Sequence, residues 1–223
     1  MKALILGSTG AVGSEILGLL LKDPSCEKIY TIGRRLPGVT DPKLTTFVLD
    51  IERVDQLPEM DADTLLIAFG TTLRIAGSKE RQEFIDVEIP TKIMKLALGA
   101  GIMKCALVSA VGVSESSPFF YSRMKARLDK NAQETGFSKL VIVKPSVLDG
   151  VREDKRLGER VSIVIGNFLG KTGLINAYRP VKTAHVAAAM IQKVKEADTG
   201  ISEVSNAQIP IIAQDYFRSL KEH

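Results

Sequence analysis

The 223-residue sequence has no tryptophan, two cysteines, two histidines and four tyrosines. Each scarcity excludes something. Cys26 and Cys105 cannot build a disulfide framework or a cysteine metal cluster. His185 and His223 leave too little for a zinc site or a Ser-His-Asp triad, so no metal is expected. Without tryptophan, and with few tyrosines, there is no stacking platform for single-stranded nucleic acid. Long apolar runs are missing as well. No window of about 18 uncharged apolar residues exists, so no membrane helix is expected. The first apolar run, Ala3-Leu4-Ile5-Leu6, is broken by Gly7, Gly10 and Gly13 and closed by Glu15, without the cleavage pattern of a signal peptide. A reducing, cytoplasmic setting is the expectation.

What is present is ordinary globular chemistry. Hydrophobic residues make up 45% and charged residues 25%, enough for one sizeable core. The net charge of +4 is uneven: residues 1–111 carry net −1 and residues 112–223 net +5. Acidic residues are interspersed with the basic ones, so no nucleic-acid stripe is read and no nucleic-acid partner is expected. A pocket for a phosphorylated small molecule fits this mild excess.

Short apolar runs alternate with longer amphipathic stretches. Runs at 2–6, 28–32, 44–49, 64–69, 104–109 and 140–143 read as strands. Stretches at 11–22, 79–98, 119–135 and 183–195 read as helices. Nearly continuous apolar strands between helices predict a parallel sheet covered on both faces, an α/β fold of the doubly wound Rossmann type. The chain reads as one domain, 1–223, with a small C-terminal lid lobe at about 146–182. Residues 201–212 are expected to supply a late strand and residues 214–221 a last short helix.

Gly7-Ser8-Thr9-Gly10-Ala11-Val12-Gly13 follows the first strand and opens the first helix. The spacing meets three demands: a tight turn, close approach of backbone to phosphate, and close packing of helix on strand. Helix N-terminal amides would then face a pyrophosphate. A purely structural turn is the alternative. Gly166-Asn167-Phe168-Leu169-Gly170-Lys171-Thr172 imitates a P-loop but has three residues between the glycines instead of four, and is set aside.

In a fold of this type an acid after the second strand binds the ribose 2′-hydroxyl of NAD. Here Gly33-Arg34-Arg35 stands instead. Guanidinium forks match a 2′-phosphate, which favours NADP(H). Asp50 either accepts from the adenine amino group or caps a helix at 52–57. Tyr121-Ser122-Arg123-Met124-Lys125 is a Tyr-x-x-x-Lys, whose ends share a helix face. The Lys125 ammonium is expected to lower the Tyr121 pKa and fit the phenol for proton transfer at a carbonyl or alcohol. Ser109 closes the fifth strand, where ligands gather in such sheets. Otherwise Ser109 is a turn residue and Tyr121 a half-buried aromatic.

These residues together resemble the short-chain dehydrogenase/reductase superfamily, in its atypical members. The nearer likeness is to the Tat-interacting-protein oxidoreductases. It rests on Phe69-Gly70-Thr71-Thr72, Leu107-Val108-Ser109-Ala110, Ser116-Ser117-Pro118-Phe119-Phe120-Tyr121 and Lys144-Pro145-Ser146-Val147-Leu148. The resemblance implies that Gly7, Thr9, Gly10, Ala11 and Val12 hold the pyrophosphate and that Arg34 and Arg35 hold the 2′-phosphate. It implies that Asp50 and Ile51 flank adenine, that Phe69, Gly70 and Thr71 line the ribose side, and that Pro145 and Val147 border the nicotinamide. Ser109, Tyr121 and Lys125 would be catalytic. Ala110 stands where relatives often have serine, and Lys144 where arginine is common. The expected activity is NADP(H)-dependent hydride transfer to or from a small carbonyl or alcohol substrate. The alternative is an NADP(H)-binding regulator that engages a protein partner.

Overall fold

The structure is a computed structural model and describes residues 1–149 and 179–222. Isoleucine, leucine and valine dominate the short runs, and those runs form parallel strands. They are β1 (Lys2–Leu6), β2 (Lys28–Gly33), β3 (Leu44–Val48), β4 (Thr64–Ile67), β5 (Lys104–Val108), β6 (Lys139–Lys144) and β9 (Gly200–Ser205). The sheet order is β3-β2-β1-β4-β5-β6-β9, every pairing parallel. The order reverses between β1 and β4, which opens a crevice at their carboxyl ends. This is the expected Rossmann-like architecture.

Successive residues of a strand face opposite sides of the sheet. Ala3 and Ile5 therefore join a core with helices α1 (Ala11–Lys22), α6 (Thr183–Lys195) and α7 (Ile209–Ser219). Leu4 and Leu6 join a second core with α4 (Ile89–Gly99) and α5 (Phe120–Thr135). Two short helices, α2 (Leu73–Ala76) and α3 (Lys79–Glu83), lead into that layer.

Three details depart from the sequence expectation. The helix at 79–98 is interrupted: a π turn, Phe84–Glu88, separates α3 from α4. Pro90 explains it. Proline has no N–H to donate to the carbonyl four residues back, and its ring would strike that carbonyl. That carbonyl belongs to Asp86, and the helix widens around it. Residues 52–57 form turns instead of a helix. The late strand stops at Ser205, where Gln208 Oε1 accepts from the Ser205 amide at 2.9 Å and Pro210 starts α7.

Most of the expected lobe at 146–182 lies outside the described residues, as do the P-loop look-alike at 166–172 and the segment 151–178. The lobe's two ends pair as β7 (Leu148–Asp149) and β8 (Val181–Lys182). Asn206 ties them down: its side chain accepts from the Ser146 amide at 2.8 Å and donates to the Arg179 carbonyl at 2.9 Å.

Candidate functional site

Two loops meet where the strand order reverses. Gly7 has φ +96°, and a Cβ there would lie 2.4 Å from the Ala68 carbonyl oxygen at the end of β4. A Cβ on Gly13 would lie 1.9 Å from the Gly7 carbonyl oxygen. Only glycine fits either place. The Gly10 amide closes the turn by donating to the Gly7 carbonyl at 3.0 Å. Gly10 then caps α1 without a side-chain hydrogen bond, and no acid stands in the first turn. Thr9, Gly10 and Ala11 are exposed, while the Val12 side chain is buried. The result is an uncapped helix N-terminus behind a turn whose glycines bring the backbone close, the form that accepts a phosphate. The residues present therefore fit a dinucleotide.

The other expected cofactor residues surround this cradle unevenly. Arg34 and Arg35 are exposed after β2 and, among the described residues, pair with no carboxylate. Phe69 packs at the rim of the second core, and Gly70 is exposed beside it. The Asp50 carboxylate accepts from the Glu52 amide at 3.2 Å and lies 3.5 Å from Arg53 Nε, a turn-capping role. Ile51 is buried in the second core, so its side chain is not offered to a ligand. Pro145 is buried and its carbonyl accepts from the Val111 amide at 2.9 Å. The Val147 carbonyl accepts from the Val181 amide at 2.9 Å.

Ser109 follows β5, and Tyr121 and Lys125 lie one turn apart at the start of α5. The Ser109 amide donates to the Val143 carbonyl at 2.8 Å, which fixes its backbone beside β6. Its hydroxyl is buried and has no hydrogen-bond partner among the described residues. Tyr121 is half-buried near the start of α5, and Lys125 lies one turn on with 6% exposure. Lys125 Nζ donates to the Val108 carbonyl at 3.4 Å, a long bond. The turn before the helix is held by Ser122, whose Oγ accepts from the Ser114 amide at 3.0 Å.

The expected lowering of the Tyr121 pKa is reversed. Burial pushes the phenol well above its ordinary range, and the nearby Asp86 and Asp129 carboxylates push it further. Burial also lowers Lys125, against those same two acids. The field at the phenol is set by burial and by the negative charge of the two acids.

Neither acid was singled out by motif. Asp86 is 2% exposed on the π turn. Its Oδ1 accepts from the Thr71 amide at 2.6 Å, and a Cβ on Gly70 would meet both its oxygens at 3.3 Å. It thus holds the loop after β4, and its charge is felt at Lys125. Asp129 is 5% exposed, and among the described residues neither of its oxygens has a hydrogen-bond partner. The Ser109 hydroxyl is near enough to ease its ionisation but makes no well-formed bond to it. Burial nevertheless raises both acids. One sequence signal could have found them. Asp86 shares a helical stripe with Pro90, Ile93 and Ala97, and Asp129 shares one with Lys125 and Ala132, all of them buried. A charge on an apolar stripe is the feature to look for.

The cysteines offer no chemistry here. Both are buried, and burial pushes the Cys26 thiol up to about 11. No cluster of metal-ligating side chains occurs among the described residues, and no described helix is long and apolar enough to cross a membrane.

Solved structures share the fold at low sequence identity. MoeE5 in complex with UDP-glucose and NAD superposes with a TM-score of 0.66 at 14% identity, covering 96% of this chain and 81% of that one. The human epimerase family protein SDR39U1 with NADPH gives 0.61 at 16%, covering 92% and 74%. A UDP-N-acetylglucosamine 4-epimerase from Methanobrevibacter ruminantium gives 0.63 at 16%, covering 92% and 76%. No family model matches the chain. Curated relatives do. Protein FMP52-1, mitochondrial, of Scheffersomyces stipitis is 32% identical over 88% of this chain and 89% of its own length. Protein FMP52, mitochondrial, of Candida albicans is 32% identical over 90% of each. The Meyerozyma guilliermondii protein is 31% identical over 97% of each. These names overturn the cytoplasmic expectation and point to mitochondria. Two free cysteines are compatible with any reducing compartment, so they could not separate the two. By sequence, over nearly its whole length, the chain belongs to the FMP52 family of mitochondrial proteins.

Proposed function

We propose that the chain is an NADP(H)-dependent oxidoreductase of the short-chain dehydrogenase/reductase type, acting on a carbonyl or alcohol, and that its likeness to the Tat-interacting-protein oxidoreductases reflects a shared Ser109/Tyr121/Lys125 chemistry. One observation carries the reading. The glycine cradle at Gly7–Gly13 and the Ser109/Tyr121/Lys125 group both sit at the carboxyl ends of the strands, around the reversal of strand order. Structures of the same fold hold NAD or NADPH, and some hold nucleotide sugars. When bound, the nicotinamide supplies the hydride.

The chain's own residues do the rest. The α1 N-terminus and the Gly7–Val12 backbone hold the pyrophosphate. Arg34 and Arg35 bind the 2′-phosphate, a task their exposed guanidinium groups suit. Phe69, Gly70 and Thr71 line the ribose side, Asp50 and the Ile51 backbone the adenine side, and Pro145 and Val147 the nicotinamide side. Ser109 orients the substrate oxygen. Tyr121 moves the proton; its phenol is protonated at neutral pH, as a general acid in the reductive direction must be. Lys125 reaches the cofactor ribose and steadies the phenolate that forms.

The test is a fluorescence titration of NADPH and NADH. The expected result is preference for NADPH, reduced about 10- to 100-fold in Arg34→Ala/Arg35→Ala, as for lost charge-assisted bonds. Equal binding of both cofactors to the wild type would remove the NADP(H) assignment. Tyr121→Phe should bind NADPH normally and lose about 100- to 10,000-fold in carbonyl-dependent oxidation of NADPH. Retained turnover would take Tyr121 out of the chemistry.

A further inference from the structure

Four buried side-chain polar atoms lack a hydrogen-bond partner among the described residues, and three of them are together: Ser109 Oγ, Asp129 Oδ1 and Asp129 Oδ2. Buried polar atoms are nearly always partnered, so this grouping requires a reason. Packing does not provide one. Asparagine or leucine would fill the Asp129 position on α5 without the desolvation of a carboxylate.

The surroundings form a line from the catalytic group to solvent. On the inner side stand the Ser109 hydroxyl, at the end of β5, and Lys125, one turn earlier on α5, with Asp86 on the π turn beyond it. On the outer side Lys144 Nζ, at the end of β6, lies 3.7 Å from Asp129 Oδ2 and 2.7 Å from Glu203 Oε1 on β9. The Glu203 side chain is 48% exposed. It opens on a cleft that Lys130, Glu115 and Gln133 also line, with Asp129 at its floor. Lys130 and Glu115 pair across this cleft at 3.7 Å.

We propose that Asp129 is a relay residue: through it the catalytic group exchanges a proton with solvent, by way of Ser109 inside and the Lys144–Glu203 pair outside. The inference rests on the reductase reading and deepens it. In the reductive direction the Tyr121 O–H bond breaks as a substrate O–H bond forms. The Tyr121 phenolate regains a proton from the Ser109 and Lys125 side. The Ser109 hydroxyl passes one proton on as it accepts another from the Asp129 carboxylic acid. Solvent, entering at Glu203, returns a proton to the Asp129 carboxylate. One proton is taken up for each carbonyl reduced, and no further reactant is needed. A hydroxyl that both accepts and donates suits the inner step. Burial, which favours the protonated acid, suits the outer one. Asp129 acts through Ser109 and touches no substrate.

The experiment is an infrared titration of protein carrying isotope-labelled aspartate, run with and without NADPH, beside kinetics with phenanthrenequinone as the carbonyl probe. The expected result is a carboxylic-acid band at neutral pH that Asp129→Asn removes and Asp86→Asn leaves in place. NADPH should shift that band. Asp129→Asn should also slow probe reduction about tenfold or more, at the low end for loss of a proton-transfer group, with a larger solvent isotope effect and an unchanged Kd for NADPH. Lys144→Met and Glu203→Gln should move the pH profile of kcat in the same sense by less. An Asp129 that is ionised at neutral pH overturns the proposal. So does a band that ignores NADPH, or an Asp129→Asn enzyme with wild-type rate and pH profile. Failure of the reductase reading looks different: NADPH does not bind, or Tyr121→Phe turns over the probe normally, whatever the infrared band shows.

Discussion

Two buried acids at opposite ends of one sheet behave in opposite ways. Asp23 follows α1, at the end of the sheet where the strands begin. Its Oδ1 accepts from the Ser25 amide at 2.9 Å and the Ser25 hydroxyl at 2.7 Å. Its Oδ2 accepts from Lys195 at 2.8 Å and from the Tyr216 hydroxyl at 2.9 Å. The acid thereby fastens α1 to α6 and α7. Lys139, the first residue of β6, is equally well supplied by the Glu196 and Asp198 carbonyls and the Asp198 carboxylate. At the other end, where the strands finish, Asp129 is as buried as Asp23 and has no hydrogen bond. A buried acid with its hydrogen bonds filled is what a fold needs, and a buried acid without them is what a reaction can use. The difference separates the closed end of the molecule from the proposed working end.

The largest predicted effect breaks the working end altogether. Gly13→Ala would place a methyl 1.9 Å from the Gly7 carbonyl, against backbone on both sides. Neither α1 nor the turn can shift without losing the contact with β4. Destabilisation on the order of 4 kcal/mol or more is expected, in the range of severe core disruptions, together with loss of NADPH binding. Chemical denaturation and the NADPH titration read the two losses. A stable protein that binds NADPH normally would show that the close packing of the turn is dispensable.

The next test compares the acids directly. Asp23→Asn removes the ion pair to Lys195 while leaving an acceptor for Ser25. Lys195 is 26% exposed and can turn to water, so about 1–3 kcal/mol is expected, below the cost of stranding a fully buried charge. Asp129→Asn should be neutral or stabilising, within about 1 kcal/mol, as is common where function has left a strained group. The two acids also predict opposite pH dependence. Burial alone would raise Asp23, but the bonds from Lys195, Ser25 and Tyr216 outweigh it and hold the carboxyl below its ordinary range. Its contribution is therefore complete above the unfolded carboxylate value, near 3.9, and is lost as pH falls through the folded value. Asp129 is raised by burial. The wild type therefore loses stability, relative to Asp129→Asn, as pH rises through the folded value of that acid. Denaturation midpoints for both variants across the acid and neutral ranges decide it. Parallel curves would mean that the two acids are energetically alike.

The contrast also explains how far the sequence could be read. The sheet was legible because β1, β2 and β4 to β6 are uninterrupted apolar runs whose partners are fixed by the parallel α/β rules. The glycine turn was legible because Gly7, Gly10 and Gly13 each meet a steric demand that has a fixed spacing. Ser109, Tyr121 and Lys125 could be placed by spacing and strand position. Asp86 and Asp129 were not, because no motif distinguishes an acid facing inward from one facing water. Only the phase of the helix does so, and at Asp86 the π turn forced by Pro90 shifts that phase. The direction of the Tyr121 shift was misjudged for the same reason: the lysine is four residues away in the sequence, whereas the burial and one of the acids come from tertiary packing. The end of the last strand was missed because Ile209, Ile211 and Ile212 continue the apolar pattern past Ser205, and only the Ser205–Gln208 turn stops it.

The smallest effect is the most discriminating control, because it changes the same residue type in the same helix. Gly18 lies in α1 a little over one turn beyond Gly13, and a Cβ there meets nothing within 4 Å. With no clash to oppose it, Gly18→Ala removes only the unfolded-state entropy of glycine and should stabilise by about 0.5–1 kcal/mol. NADPH affinity should not change, since the residue faces away from the cradle's contacts with Gly7 and Ala68. Measured beside Gly13→Ala, it separates two explanations of the glycines in this helix. If both substitutions destabilise, α1 tolerates no added bulk and the glycines reflect helix packing in general. If Gly18→Ala stabilises while Gly13→Ala destroys binding, the close approach at Gly13 is a property of the cradle alone.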